Sequence, residues 1–370
     1  MILVLTVILV ALVFTYTNGF HDTANSIATV VGTKVLTPRQ AILLATVTNL
    51  LGAMSGAAVA ITIASGLVNA DAIPAAAASQ MLICALAAAI VWNLVTWYVG
   101  LPSSSSHALI GGLCGAALAT AHNDWHVVIW NQMPKAGKHA WEGGGLLFKV
   151  VIPMVVSPIL GLVIAFLIMA VLYLVLRGWR PLTVTRTFGK LQLVSSAYMG
   201  FSHGTNDAQK TMGIISLALV AATRNGVFDH LPGWLEFLRT PEAADPQSQH
   251  IALWIKILCA ITMGAGTAVG GWRVIKTLGH KLVRLQPVHG FAAETAAASV
   301  LLGTALLGMP VSTTHVLTSA IIGVGAAKRW SALKWSLAEK IVWAWVFTLP
   351  ASGALAYGLV WSLQSAGWTF

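Results

Sequence analysis

Apolar stretches alternate with short polar segments along the whole chain. Several of these stretches approach or exceed the roughly 20 residues that an α-helix needs to cross the hydrocarbon core of a bilayer. They include residues 1–17, 40–64, 79–99, 150–176, 251–271 and 341–363. A chain with this many candidate spans is expected to fold as a bundle of helices. The pattern therefore predicts an all-α polytopic membrane protein.

Composition supports the membrane assignment. Hydrophobic residues make up 57% of the 370 residues and charged residues only 9%, whereas about a quarter of the residues in soluble domains are charged. The first apolar stretch has neither a basic segment before it nor a small-residue cleavage site, which favours a first span over a removable signal peptide. Cys84, Cys114 and Cys259 lie in apolar stretches without a C-x-x-C pair, so we expect packed thiols rather than disulfides or metal ligands.

Two polar motifs each occur twice, in the same order. Residues 19–26 (GFHDTANS) match residues 204–211 (GTNDAQKT), with an aspartate at the same place in both. Residues 100–107 (GLPSSSSH) match residues 308–315 (GMPVSTTH), and these two segments share glycine, proline, serine and histidine at identical spacing. Two ordered matches of this kind indicate an internal repeat.

The repeat divides the chain into a first transmembrane repeat at 1–176, a basic cytoplasmic linker at 177–190 and a second transmembrane repeat at 191–370. Most basic residues lie in loops on one side, namely Lys34, Arg39, Arg177, Arg180, Arg186, Lys190, Arg273, Lys276, Lys281, Arg284, Lys328, Arg329, Lys334 and Lys340. An excess of lysine and arginine marks the cytoplasmic side, and it accounts for the net charge of +10 without a nucleic-acid partner. Following the crossings places the start of the first repeat outside and that of the second inside. We therefore predict an inverted-topology repeat, a plan common among secondary transporters, with both termini outside.

Asp22 and Asp207 each lie beside a glycine within an otherwise apolar span. An ionisable side chain at membrane depth costs at least about 2.5–3.5 kcal/mol unless it is paired or faces a cavity. A single such aspartate could simply fix helix packing, but the duplication favours a functional pair. We expect the helices to break beside Gly19 and Gly204, and the freed backbone groups to line a protein cavity.

The second motif is typical of a helix start. Proline is favoured in the first turn and serine or threonine at the cap, so residues 102–106 and 310–314 are each predicted to begin a half-helix. Free backbone N–H groups and the positive end of the helix dipole favour anions, and the adjacent hydroxyls add donors. Two such re-entrant half-helices facing each other near the midplane would suit a tetrahedral oxyanion. The candidate substrate-binding residues are Asp22, Asn25, Ser104, Ser105, Ser106, Asp207, Lys210, Ser312, Thr313 and Thr314.

Two carboxylates in an anion carrier suggest ion coupling. Bare carboxylates repel an anion, so Asp22 and Asp207 should be protonated or bridged to the anion by a cation, which ties anion uptake to H⁺ or Na⁺ uptake. A metal role for either aspartate is expected only in that bridged case. Glu294, His107 and His315 are further candidates for ion coupling, although each could instead be a buried residue with a local partner. No resident cofactor is expected.

The two halves differ in charge at one position of the first motif. Lys210 lies about one helical turn past Asp207, where its ammonium group could neutralise an anion. Asn25 takes the matching place in the first half. The sequence therefore predicts a site that is not two-fold symmetric in charge.

At these motifs the sequence resembles the inorganic phosphate transporter (PiT) family. Residues 18–25 and 202–210 are similar to its two signature segments, both Pro-x-Ser-x-x-His segments recur in it, and the resemblance covers essentially the whole chain. It implies phosphate symport, with the substrate and coupling ions at Asp22, Asn25, Asp207 and the hydroxyls of 104–106 and 312–314. Glu294 matches an acid of the family's second half. Phe20-His21 stands where sodium-coupled members usually read Ala-Asn, which resembles the bacterial low-affinity, proton-coupled branch, where a divalent metal is thought to travel with phosphate.

Three other functions compete with phosphate symport. Sulfate or another tetrahedral oxyanion would suit similar donors. An intramembrane hydrolase could use a hydroxyl nucleophile with His107 or His315, but the hydroxyl runs are duplicated and no G-x-S-x-G elbow is present. A passive channel fits less well, because paired ionisable residues in broken helices suit alternating access. The sequence therefore predicts a non-enzymatic phosphate importer of the cell inner membrane, in contact with the lipid bilayer, with homo-oligomerisation left open.

Overall fold

The computed structural model describes residues 1–69, 72–74, 77–134, 143–241, 250–270, 274, 275, 277, 285–328, 331 and 333–367. Within these ranges the regular structure is almost entirely α-helical. The helices are α1 Ile2–Gly32, α2 Pro38–Met54, α3 Ala58–Ser65, α4 Ala78–Val99, α5 Ser105–Thr120, α6 Ile152–Val175, α7 Pro181–Arg224, α8 Leu253–Val269, α9 Pro287–Leu306, α10 Thr313–Lys328 and α11 Trp335–Ser365. Short 3-10 helices form at Trp125–Val127 and Gly233–Leu238, and a π-helical turn at Leu147–Val151 leads into α6.

Several helices are suited to cross a membrane. Helices α1, α4 and α11, and α6 together with the π-helical turn before it, are long and apolar enough to do so. Helix α2 and residues Ala58–Ala64 of α3 form a further apolar pair, bent by 66° at a short break. The chain is thus a multi-pass membrane protein, as its apolar pattern predicts.

The helices that carry the two aspartates are continuous, so the predicted breaks beside Gly19 and Gly204 are wrong. Both α1 and α7 pass through these glycines without interruption. A Cβ atom on Gly19 would lie 2.6 Å from the carbonyl oxygen of Met263, and one on Gly204 would lie 2.2 Å from that of Asn49. The glycines therefore let α8 and α2 approach the aspartate helices closely, as small residues do between membrane helices. The breaks lie elsewhere, between α2 and α3 and before α5 and α10.

The two predicted helix starts at the Pro-Ser segments are confirmed. Ser104 precedes α5, and its Oγ accepts a hydrogen bond from the backbone N–H of His107 at 3.1 Å. Ser312 precedes α10 in the same way, and its Oγ accepts from the N–H of His315 at 3.2 Å. Each serine satisfies one of the N–H groups that the first turn leaves unpaired. At 16 residues each, or about 24 Å, α5 and α10 are too short to cross about 30 Å of hydrocarbon.

Contacts between helices come in matching pairs. Helix α5 packs against α11 and α10 against α6; α1 packs against α8 and α7 against α2; α1 packs against α4 and α7 against α9. The pairs match if the helices of the two repeats are taken in order, so that α1 corresponds to α7, α2 to α8, α4 to α9, α5 to α10 and α6 to α11. Each contact named above then has a counterpart. The half-helix of each repeat therefore packs against the last helix of the other. Buried apolar side chains form separate clusters, one of which includes Phe14 and Leu109 and another Leu301 and Val316.

Pairing of this kind is expected from a two-fold repeat, whereas the inversion of the repeats and the position of both termini outside stay predictions. The proposed linker at 177–190 is helical from Pro181, where α7 begins. Several basic residues behind the orientation prediction lie outside the described residues, namely Arg273, Lys276, Lys281, Arg284 and Arg329.

Candidate functional site

Helices α1 and α7 bring the two aspartates to one place. Asp22 and Asp207 are buried, with 2% and 0% of their surface exposed. One carboxylate oxygen of each aspartate and one ring nitrogen of His203 lie within 4.8 Å of one another. The first residues of α5 and α10 reach the same place through their hydroxyl groups. Residues separated by more than half of the chain thus form a single buried polar cluster, which we call the aspartate pair site.

The first-repeat half of the site surrounds Asp22. Ser105, from the first turn of α5, donates a hydrogen bond from Oγ to Asp22 Oδ2 at 2.6 Å. Thr314, from α10, donates to Asp22 Oδ1 at 3.4 Å. The Nδ1 atom of His21 lies 2.7 Å from the same oxygen, and its Nε2 lies 3.3 Å from Thr96 Oγ1. Asp22 is therefore held by hydroxyls from both half-helices and by one imidazole.

The second-repeat half surrounds Asp207 and contains a lysine. Lys210 donates from Nζ to Asp207 Oδ1 at 2.5 Å, to Ser106 Oγ, and to the carbonyl oxygen of Val311 at 3.2 Å. Thr313 donates to Asp207 Oδ2 at 3.4 Å. An ammonium group has three N–H donors, and here each has an acceptor. A buried ion pair is tolerated when close geometry and further hydrogen bonds offset the loss of hydration, and both conditions are met.

His203 places a ring nitrogen in the site. Its Nδ1 lies 3.1 Å from Asn49 Oδ1. The Asn49 amide donates from Nδ2 to Thr267 Oγ1 at 3.2 Å, so its oxygen faces the ring and accepts a hydrogen bond from Nδ1. The Nε2 atom lies 3.2 Å from Asp207 Oδ2 without an aligned hydrogen bond among the described residues. A proton or a cation between Nε2 and the carboxylate would stabilise this contact.

Asn25 connects the two halves. Its Nδ2 donates to Thr313 Oγ1 at 3.2 Å and to Thr314 Oγ1 at 2.8 Å, and these hydroxyls donate in turn to Asp207 and Asp22. Its Oδ1, and both side-chain amide atoms of buried Asn206, have no hydrogen-bond partner within the described ranges. A buried polar atom without a partner costs about 1–3 kcal/mol, so these atoms would gain from a bound ligand.

The histidines at the end of each half-helix motif pack against each other. The ring centroids of His107 and His315 are 4.8 Å apart in an edge-to-face arrangement, and His315 stacks on Trp345 at 4.1 Å. Both rings are buried. No described contact joins them to Asp22 or Asp207. The rings therefore connect α5 to α10, and their predicted role in ion coupling stays a prediction.

Glu294 lies in a separate polar cluster between α1, α7 and α9. Its carboxylate accepts hydrogen bonds from Thr29 Oγ1 at 2.5 Å, from Gln192 Nε2 at 3.2 Å and from Ser195 Oγ. No described contact links Glu294 to either aspartate. Its surroundings match the alternative of a buried acid with local partners, and its role in coupling stays a prediction.

Ten residues are predicted from the sequence to bind substrate. In the structure they fall into two groups according to their hydrogen bonds. Ser104 and Ser312 cap their helices, while the other eight belong to the hydrogen-bonded network of the aspartate pair site. Sequence reasoning missed His203 and His21 as members of that network. His203 lies four residues before Asp207 on α7, a spacing that places both side chains on one helix face and could have identified it.

The fold and the site define a multi-pass membrane protein with a buried carboxylate pair between two capped half-helices. The chain belongs to the phosphate transporter family, whose sequence profile matches residues 18–356. Since it belongs to a family of transporters, the protein is not an enzyme, and the hydrolase alternative is set aside.

Individual relatives cover nearly the whole chain. A probable low-affinity inorganic phosphate transporter of Bacillus subtilis (strain 168) is 39% identical over 360 residues, which cover 96% of this chain and 97% of the relative. A protein of the same description from Rhizobium meliloti (strain 1021) is 41% identical over 352 residues, covering 94% and 93%. Among solved structures, one described as the sodium-dependent phosphate transporter matches with a TM-score of 0.78 over 99% of this chain and all of that one, at 24% identity. It shares the fold of this protein.

Proposed function

We propose that this protein imports inorganic phosphate across the cell inner membrane by cation symport, with H⁺ rather than Na⁺ as the coupling ion. The observation that carries the proposal is the meeting of Asp22 and Asp207 at the N-terminal ends of α5 and α10. Family membership supports phosphate as the substrate, and so does the description of the Bacillus subtilis and Rhizobium meliloti relatives. The sodium-dependent transporter supports the fold alone.

Coupling follows from the number of protons available in the site. Each hydroxyl has one proton to donate, and Ser105 and Thr314 both give theirs to Asp22. A phosphate oxygen that takes over these donors leaves Asp22 with the His21 imidazole as its remaining described partner and places an anion beside the carboxylate. Two negative groups side by side in a buried site are strongly unfavourable, so a proton or cation must arrive with the anion. Binding of the two ligands is therefore linked, and neither is stable in the site alone.

The acceptors at the site favour phosphate over sulfate. Asp22, Asp207 and the Nε2 atom of His203 can all accept hydrogen bonds. Phosphate keeps at least one P–OH group near neutral pH and can donate to these atoms, whereas the sulfate dianion can only accept. A sulfate oxygen that faces one of these acceptor atoms is repelled, because neither group can donate a proton. Repulsive contacts of this kind are a common way in which a site discriminates between ligands.

A divalent metal could accompany phosphate at the same place. The two carboxylate oxygens and one imidazole nitrogen form a mixed set that transition metals bind well. We therefore propose that Asp22 takes a single cation, either a proton or a metal ion carried as a phosphate complex, with Asp207 and His203 as further ligands of that same cation. In both cases the cation is cargo that enters with the anion.

Uptake of labelled phosphate into proteoliposomes, with H⁺ and Na⁺ gradients imposed independently, tests the proposal. We expect an inward H⁺ gradient to drive accumulation in the absence of Na⁺, and excess sulfate to leave uptake unchanged. Accumulation that requires Na⁺ would contradict the coupling ion. Equal transport of labelled sulfate would contradict the substrate, and no uptake under any gradient would contradict symport itself.

A further inference from the structure

Matching positions in the two repeats hold side chains of different charge. Asn25 and Lys210 each lie three residues after the aspartate of their motif. Both are buried, with 0% and 1% of their surface exposed. The Asn25 amide donates to two threonine hydroxyls, whereas the Lys210 ammonium donates directly to a carboxylate. The second repeat therefore contains a fixed positive charge that the first repeat lacks.

Lys210 is held by three different parts of the chain. Its acceptors are Asp207 on α7, Ser106 in the first turn of α5, and the carbonyl oxygen of Val311 just before α10. Because all three N–H donors are engaged, a bound anion could contact Nζ only by displacing one of these acceptors. The arrangement is that of a counter-ion for Asp207 rather than of a free anion ligand.

The other aspartate has no comparable partner. The described contacts of Asp22 are with the hydroxyls of Ser105 and Thr314 and with the imidazole of His21, and none of these carries a permanent charge. Two carboxylates within 4.8 Å of each other in a buried site need positive charge before an anion can approach. On the second-repeat side the protein supplies that charge itself, while on the first-repeat side it must come from outside.

We propose that Lys210 acts as a built-in counter-cation, so that the carrier takes up one cation fewer per phosphate than it would with asparagine at this position. This inference rests on the proposed function. A tethered ammonium group neutralises Asp207 in every step of the cycle but does not cross the membrane. It therefore contributes to anion binding without adding to the charge that is transported.

The number of cations per phosphate can be measured directly in proteoliposomes. For a set of imposed gradients of the driving cation, the phosphate gradient that stops net flux of labelled phosphate is determined. The slope of the logarithm of the phosphate ratio against the logarithm of the cation ratio equals the coupling number. We expect Lys210→Asn to raise this slope by one, and Lys210→Arg, which keeps the charge, to leave it unchanged.

A neutral double variant covers the case in which Lys210→Asn does not fold. Asp207→Asn/Lys210→Gln removes both charges of the ion pair, so no buried carboxylate is left uncompensated. Its slope should equal that of the wild type. A slope one lower would show that Asp207 takes a free cation in spite of Lys210, and would overturn the proposal. A lower affinity or rate in this variant leaves the test intact, because the slope depends only on the number of cations that move with each phosphate.

Two further outcomes separate the inference from the proposed function. If Lys210→Asn keeps the wild-type slope and only loses phosphate affinity, Lys210 binds the anion and the inference fails while phosphate symport stands. If the wild-type protein transports no phosphate under any gradient, the proposed function fails before the slope can be compared.

Discussion

The Asp22 half and the Asp207 half of the site share a scaffold and differ in charge. In both, an uninterrupted helix carries the aspartate, a glycine three residues earlier contacts a neighbouring backbone carbonyl, and a serine-capped half-helix supplies hydroxyls. Among the described residues, only the Asp207 half contains a lysine, and only there does a histidine beside the aspartate have a ring nitrogen without a hydrogen bond. The parts that position helices are therefore the same in both halves, whereas the parts that contact ions are not.

This contrast suggests that the two halves of the site have different roles in transport. A carboxylate paired with an ammonium group is neutral before any ligand arrives, and a carboxylate held by hydroxyls is not. The Asp22 half should therefore respond to the supply of cations, and the Asp207 half should mainly provide a stable electrostatic background. Substitutions at matching positions can test this difference.

Replacing Asp22 with asparagine should have the largest effect on transport. Asn keeps the shape of Asp22 but can neither bind a proton nor balance a cation, so Asp22→Asn should abolish concentrative phosphate uptake while the protein stays folded. Uptake in proteoliposomes and size-exclusion chromatography measure the two properties. Accumulation at the wild-type level would show that Asp22 is structural.

Replacing Asp207 with asparagine should also abolish accumulation, but with a loss of stability that Asp22→Asn lacks. Asp207→Asn leaves the Lys210 ammonium buried without a counter-ion, and breaking a buried ion pair typically costs about 3–5 kcal/mol. Thermal unfolding in detergent should show a lower midpoint than for Asp22→Asn. Equal midpoints for the two variants would contradict the proposed difference between the halves.

Removing single hydroxyls should weaken phosphate binding and leave the transport cycle intact. A hydrogen bond to a charged group contributes roughly 1.5–3 kcal/mol, which corresponds to about ten- to a hundred-fold in affinity. Ser105→Ala should weaken phosphate affinity more than Thr313→Ala, because Ser105 lies 2.6 Å from Asp22, while Thr313 lies 3.4 Å from Asp207. The concentration dependence of phosphate uptake gives the affinity of each variant. Loss of transport at saturating phosphate would contradict a role limited to binding.

The scaffold itself should respond symmetrically and with the smallest effects. Gly19→Ala and Gly204→Ala each place a methyl group against a backbone carbonyl, and overpacking of this kind costs about 1–3 kcal/mol. The two variants should lose similar amounts of thermal stability. Gly303→Ala is a matched control, since Gly303 also lies inside a helix and nothing lies within 4 Å of the added Cβ. A large difference between Gly19→Ala and Gly204→Ala would show that the halves also differ in packing.

Much of the architecture follows from local features of the sequence. Membrane spans depend on the length of apolar stretches, and the starts of α5 and α10 depend on a proline and a capping serine within a few residues. Both are properties of short segments, so the sequence predicts them well. The duplicated motifs likewise identify Asp22 and Asp207 as a pair, because each aspartate holds the same place in its copy of the motif.

The features that the sequence gets wrong or leaves open depend on a partner far away in the chain. A glycine beside an aspartate can interrupt a helix or let another helix approach, and only the carbonyl groups of Met263 and Asn49 decide between the two. In the same way, Glu294 could belong to the aspartate pair or to a cluster of its own until Thr29 and Ser195 are seen beside it.

The sequence by itself determined that this chain spans a membrane, that two polar motifs each occur twice along it, and that one copy has a lysine where the other has an asparagine. Only the tertiary structure decided which groups that lysine contacts. The acceptors of Lys210 come from α7, from the start of α5 and from the segment before α10, which lie about a hundred residues apart in the chain. A buried charge must form hydrogen bonds with the groups that lie near it in space, because an unpaired buried charge is very unfavourable. The distance between two residues along the sequence does not show whether they are close in space.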